Sequence, residues 1–153
     1  MPLLVAWPGV TRAGSVCDLP VSGQDLFPTV LDIAGVSLKP ESPWVIDGQS
    51  LVSLLRGEIR VARDALFWHY PHYSNQGGKP GSAVRRGDLK LIEHHKDGKS
   101  ELYDLKRDIG ERNDLAAARP EEVVRLHQRL VEWRRAVGAH MPRTNPAYGP
   151  ETR

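Results

Sequence analysis

The chain has 153 residues, 40% hydrophobic and 26% charged, enough for one domain or two small lobes with a real core. Its 21 basic and 19 acidic residues leave a formal charge of +2, and with no long Lys/Arg block the composition gives no case for nucleic acid. No apolar run approaches the roughly 18 residues that mark a membrane span, the opening Met1–Val10 stretch does not read as a signal peptide, and the lone Cys17 excludes an internal disulfide.

The run PLLVAW, Pro2–Trp7, is continuously apolar and stops at Pro8-Gly9. That pattern predicts a strand buried on both faces, as in a mostly parallel sheet. Ser22 or Gly23 is placed to cap a helix over residues 24–36. Within it Leu26, Val30, Ile33 and Ala34 recur at helical spacing, and Gly35 supplies a stop. Pro28 is tolerated because it falls in the first turn. Residues 37–48 read as a turn-rich loop, and residues 50–57 as a short helix closed by Gly57.

The second half changes character. Asp64–Tyr70 is aromatic-rich and extended, and residues 82–87, 89–95 and 100–105 follow as further extended runs. Gly77-Gly78, Gly87-Asp88 and Asp97-Gly98 separate them, the last being the clearest hairpin signal. Leu89, Leu91 and Leu102 alternate with polar residues, as strands covered on one face require. After a polar bend, Pro120 opens a helix in which Glu121 and Glu122 complement the positive end of the dipole. Val123, Leu126, Leu130, Trp133 and Val137 form its apolar stripe, and the preceding meander offers a face to cover. The expectation is an α+β arrangement: a small antiparallel four-stranded sheet with a C-terminal packing helix over residues 63–138, preceded by a strand–helix piece over 1–60 and followed by a loosely ordered tail over 139–153. One strand and two short helices cannot make a sheet, so the first piece is expected to need partners from elsewhere.

The ordered set PLLVAWPGVTRAGSV, DLFPTVLDIAGV and DGQSLVSLLRG resembles the last segment of the catalytic α/β domain, of the alkaline-phosphatase-like kind, in formylglycine-dependent sulfatases of the arylsulfatase type. FWHYPHYSNQGGKPGSAVRRGDLKLIE, ELYDLKRDIGERNDLA and RPEEVVRLHQRLVEW resemble that family's small C-terminal domain. The likeness is collinear over residues 2–137, and is most specific at Glu101–Leu105 with Asp108, Glu111, Asn113 and Leu115. It implies sulfate-ester hydrolysis by a hydrated formylglycine, with a divalent cation, usually calcium, orienting the sulfate, an arrangement suited to displacement at an anionic ester. It implies a periplasmic or secreted parent. Neither the formylglycine motif nor the metal ligands can be carried onto this sequence: Val16–Pro20 around Cys17 has neither the Ser nor the Arg. The expectation is therefore a truncated sulfatase, with no catalytic or metal-binding residue of its own, inactive alone, whose partner is the missing N-terminal catalytic portion. Leu3–Trp7, uncovered, would invite self-association.

His69 and His72 lie three apart, which puts them on opposite faces of a strand unless Pro71 breaks it. This spacing argues against a zinc pair. By resemblance, the C-terminal domain borders the active-site cleft, so His69, Tyr70, His72 and Asn75 are candidate contacts to the leaving group of a sulfated substrate. Arg85 and Arg86 with Lys79 and Lys90 form a candidate anion patch, and a free-standing binding module for anionic glycans is the alternative reading. Surface Arg on a hairpin otherwise serves solubility. His94 and His95 are expected as solvated strand positions, Cys17 as an inert thiol, and Asp104–Asn113 as turn chemistry.

Overall fold

The computed structural model describes residues 2–37, 45–58 and 62–143. Part of the expected loop over 37–48 and the tail from residue 144 lie outside the described residues. The chain divides into two compact units, residues 1–63 and 64–153.

In the first unit the expected strand is not formed. Residues 2–7 carry no ladder, because a strand exists only through pairing and no partner strand occurs among the described residues of this unit. Instead Trp7 closes a turn over Pro8-Gly9, its carbonyl accepting from the amides of Val10 at 3.0 Å and Thr11 at 2.9 Å. Leu4 is left 92% exposed. Ser22 caps a short 3-10 turn, Gly23–Asp25, that runs into helix α1, Leu26–Ile33. Gly35 ends it at a φ of 67°, which favours glycine. The apolar residues Leu26, Val30 and Ile33 are exposed, whereas Thr29 and Asp25 are the buried positions. The apolar side of α1 is thus uncovered within this unit. Helix α2, Val52–Leu55, buries Leu51 and Val52.

The buried end of this unit is polar. Asp25 is fully buried and takes four hydrogen bonds: Oδ2 accepts from the Ser22 amide at 2.7 Å and Arg63 Nη2 at 2.7 Å, and Oδ1 from the Gln49 amide at 2.9 Å and Arg63 Nη1 at 2.9 Å. Burial alone would raise its pKa, but the Arg63 hydrogen bonds, the two amides and the guanidinium charge outweigh that and hold the carboxyl below the usual range. Thr29 Oγ1 donates to the Asp25 carbonyl at 2.5 Å and accepts from the Leu51 amide at 2.9 Å, joining α1 to the segment that leads into α2.

The second unit is a meander of four strands in sequential antiparallel order: β1, Leu66–Tyr70; β2, Gly81–Arg86; β3, Leu89–His94; β4, Ser100–Asp104. Helix α3, Pro120–Ala136, lies across one face. Gly87 and Gly98 take the positive φ of tight hairpin turns, at 59° and 69°. Cross-strand partners Phe67, Val84 and Leu91, with Leu102 opposite Leu91, point to the helix. Val84, Leu91, Leu102, Leu126 and Leu130 form the core at 0–1% exposure, each Leu contributing about 1.5–3 kcal/mol by leaving water. Phe67 stacks on Trp133 with centroids 4.9 Å apart and rings 5° from parallel. Val137, placed on the stripe by its spacing, lies beyond the last helical turn and is 49% exposed.

The polar bend after β4 acts as its turn chemistry suggests. Asp108 Oδ2 accepts from the amides of Arg112 at 2.7 Å and Asn113 at 2.8 Å, and the Asn113 bond leads in drawing its carboxyl below the usual range. Asp114 Oδ1 accepts from the Leu102 amide at 3.0 Å, and the Leu115 amide donates to the Leu102 carbonyl at 2.8 Å. Together they occupy the outer edge of β4, which would otherwise present unpaired backbone groups.

Candidate functional site

The alternation of a strand sorts the candidate residues. Phe67 and His69 share the helix-facing side of β1, while Trp68 and Tyr70 lie on the other, at 45% and 51% exposure. β1 ends at Tyr70, and Pro71 turns the chain into a loop where His72, Tyr73 and Asn75 are exposed. Tyr70 and His72 meet edge to face, centroids 5.6 Å apart. Ser74 closes the loop: its amide donates to the Gly78 carbonyl at 3.0 Å and its Oγ accepts from the Gly78 amide at 2.9 Å. Tyr70 and His72 therefore meet at the end of the sheet, with Asn75 exposed in the loop that follows.

His69 is differently placed. Its Nδ1 lies 2.8 Å from Ser82 Oγ and its Nε2 2.8 Å from the His140 carbonyl, so both ring nitrogens are engaged within the unit. Arg85 pairs with Leu66, three ladder positions from the His69–Ser82 pair, about 10 Å along the strand. Its Nε donates to the Gly87 carbonyl at 3.1 Å. The other basic residues of the hairpin are largely neutralised, Arg86 by Asp64 at 2.9 Å and Lys90 by Glu111 at 2.6 Å.

His94 and His95 depart from the expectation of solvated positions. Both are only partly exposed. His94 Nε2 pairs with Glu101 at 3.3 Å on the open face. His95 turns to the helix side, where its Nε2 lies 2.8 Å from Ser82 Oγ. The reason is register: the β3 residues Leu91 and Glu93 face the helix, and the same parity carries His95 there. Arg134 Nη1 lies 2.6 Å from Glu93 Oε2, 3.3 Å from His95 Nε2 and 3.4 Å from Ser82 Oγ. At 2.6 Å Arg134 and Glu93 form an ion pair. His127 Nε2 approaches Glu93 Oε1 at 3.3 Å. Burial would raise the Glu93 pKa, but Arg134 and His127 more than offset it and hold the carboxyl low. Burial leads in pushing the His95 imidazole below its ordinary value, opposed by the Glu93 charge and reinforced by Arg134, His69 and His94.

Ser82, Glu93, His95, His127 and Arg134 were not legible as a group in the sequence. The signal that finds them is parity with Val84 and Leu91 on the strands, and the spacing of four from Leu130 to Arg134 on α3. For the prosthetic chemistry of sulfatases, the described residues do not fit. Cys17 is exposed outside any formylglycine motif, and among the described residues no three His, Cys, Asp or Glu gather to hold a cation. No step through formylglycine or calcium is derived from this chain.

A four-stranded antiparallel meander with one helix across its face, its first two strands joined by an aromatic and histidine-bearing loop, defines an α+β module of the kind found at the C-terminus of sulfatases. Residues 1–136 match the family described as N-sulphoglucosamine sulphohydrolase, C-terminal, and the chain belongs to that family. A sulfatase of Formosa agariphila is 34% identical over 146 residues, covering 87% of this chain and 26% of the relative. An N-acetylglucosamine-6-O-sulfatase of Bacteroides thetaiotaomicron is 35% identical over 120 residues, covering 75% of this chain and 21% of the relative. A protein solved in complex with its substrate D-glucosamine-2-N,6-O-disulfate superposes with a TM-score of 0.63 at 30% identity, covering 77% of this chain and 24% of its own. The chain thus spans about a quarter of the length of the relatives it matches.

Proposed function

We propose that this chain acts as the C-terminal part of a sulfuric ester hydrolase, completing its fold and bordering its substrate cleft, and that it does not cleave esters unaided. One observation carries the reading: the family match runs from residue 1 to 136, yet that length answers to only 26% and 21% of two sulfatase relatives. In this reading the partner is a catalytic portion that brings formylglycine and calcium, and residues 1–60 are the closing piece of that portion. The exposed Leu3, Leu4, Val5, Phe27 and Val30 are apolar surface for it to cover, and without it the same surface favours self-association. Tyr70, His72 and Asn75 are the rim contacts to the leaving group. His69, with both nitrogens occupied, serves by holding the strand end, and Arg85 contacts only a longer substrate. The relatives that act on sulfated glucosamine support a sulfated amino sugar as that substrate.

The test is an assay of 4-nitrophenyl sulfate and glucosamine 6-sulfate with the purified chain, alone and mixed with a sulfatase relative cut where the match begins. Turnover is expected only in the mixture, and Tyr70→Ala with His72→Ala is expected to raise KM for the sugar ester more than for the aryl ester. Sulfate release by the chain alone, surviving a chelator and repeated purification, overturns the reading.

A further inference from the structure

Hydrogen bookkeeping in the polar cluster on the helix face fixes more than its distances. The His140 carbonyl can only accept, so His69 Nε2, 2.8 Å away, carries a proton. A neutral His69 then has a bare Nδ1, which accepts the Ser82 hydroxyl proton across 2.8 Å. Ser82, 3% exposed, has no second proton to give. His95 Nε2, 2.8 Å from the same oxygen, is then the donor, and Arg134 Nη1, 3.3 Å from that nitrogen and 3.4 Å from the oxygen, directs its proton to the oxygen's remaining lone pair rather than to the imidazole. His95 Nδ1 is left bare, and it is buried with no hydrogen-bond partner among the described residues. The chain of bonds runs one way: His95 to Ser82 to His69 to the His140 carbonyl.

We propose that His95, Ser82 and His69 form a directional hydrogen-bond relay that latches the segment following α3 to the end of β1, closed when His95 is neutral and opened by acid. A second proton on His95 must sit on Nδ1, where no acceptor faces it. That leaves a buried N–H unpaired, at the cost of its full desolvation. On α3, Arg134 opposes a new positive charge, while His127 is turned to Glu93. On β3, Glu93 favours one but is already held by that pair, and His94 is engaged with Glu101 on the other face. The shift of His95 below its ordinary value agrees with this balance. The latched segment is short: the Ala139 amide donates to the Arg134 carbonyl at 2.9 Å, and the His140 carbonyl is its bond to the sheet edge. The loop with Tyr70, His72 and Asn75 springs from the same strand end.

The test uses the whole chain. Long-range nitrogen–proton NMR at about pH 7.5 should find the proton of both His69 and His95 on Nε2. Amide exchange of residues 138–141, corrected for intrinsic rates, should lose about tenfold in protection between roughly pH 7.5 and 5.5, as loss of one buried hydrogen bond would give. His95→Gln keeps a donor beside Ser82 but cannot take a second proton, and should retain that protection at the lower pH. Ser82→Ala should show the low protection at both. A proton on His95 Nδ1 at neutral pH, pH-independent protection in the unaltered chain, or acid release unchanged in His95→Gln overturns the relay. If Ser82→Ala does not fold, the tautomers in the unaltered chain decide.

Discussion

Replacing Asp25 with Asn tests the polar keystone of the first unit. The carboxylate gives two acceptor oxygens to four donors, the Ser22 and Gln49 amides and both Arg63 nitrogens. An amide keeps one oxygen, so whichever way it turns, one backbone N–H and one guanidinium N–H face an NH2 group. Asp25 is wholly buried and the Arg63 side chain only 12% exposed, so water cannot repair the loss at the carboxylate. Two unpaired donors cost about 1–3 kcal/mol each, and breaking a buried ion pair on one side costs about 3–5 kcal/mol in all. These two estimates describe the same loss and agree. In amide exchange the Gln49 and Leu51 amides should lose protection by about 100- to 4000-fold. Asp25→Asn combined with Arg63→Met should recover part of it, because the stranded guanidinium is then gone. The pH dependence has a definite sign. The folded carboxyl lies below its unfolded value, so its contribution is complete above about pH 4 and is lost as pH falls through the folded value. A change in protection under about fivefold for Asp25→Asn, where roughly 1.4 kcal/mol would already give tenfold, would show that the pair contributes nothing beyond its own desolvation.

Gly48→Ala should disturb the same keystone from outside, since a Cβ there would lie 2.0 Å from the Gln24 carbonyl oxygen and 2.8 Å from the Asp25 amide nitrogen. Exchange in residues 22–34 should rise, and an unchanged pattern would contradict that packing. In the second unit Leu130→Ala should lower stability by about 2–5 kcal/mol in urea melts, while Val124→Ala on the exposed side of α3 should change it by less than about 0.5 kcal/mol. Tyr103 is buried and donates to Glu101 at 3.0 Å. Burial first, then that bond and the Glu101 charge, push its phenol up to about 12. The phenolate absorbance that Tyr103→Phe removes should therefore appear only near pH 12, and a midpoint near pH 10, the ordinary value, would show that the face around it is wet.

The second unit was legible because its local and tertiary requirements coincide. Leu89, Leu91 and Leu102 alternate as a one-faced sheet demands, Asp97-Gly98 supplies the hairpin, and Pro120 with Glu121 and Glu122 marks the start of the helix that covers it. In the first unit the expected strand at Pro2–Trp7 does not form, because a strand needs a pairing partner and none occurs among the described residues of this unit. The unit organises instead around what is local and polar: Ser22 capping the turn that holds Asp25, with Arg63 brought back to the same carboxylate. A pairing of residues 38 apart leaves no periodic trace. The cluster at the end of β1 was hidden in another way. His95 looks like a solvated strand residue when its run is read alone, because polar side chains at a strand end usually are. Only the register, which sets His69 opposite Ser82 and carries His95 to the same face, shows that they follow the parity of the core. Once on that side they meet Arg134, one helical turn past Leu130, and a position that looks like surface charge in the sequence becomes the lid of a buried polar network. Parity counted from the nearest core residue, Leu91, separates His95 from His94 in the sequence itself.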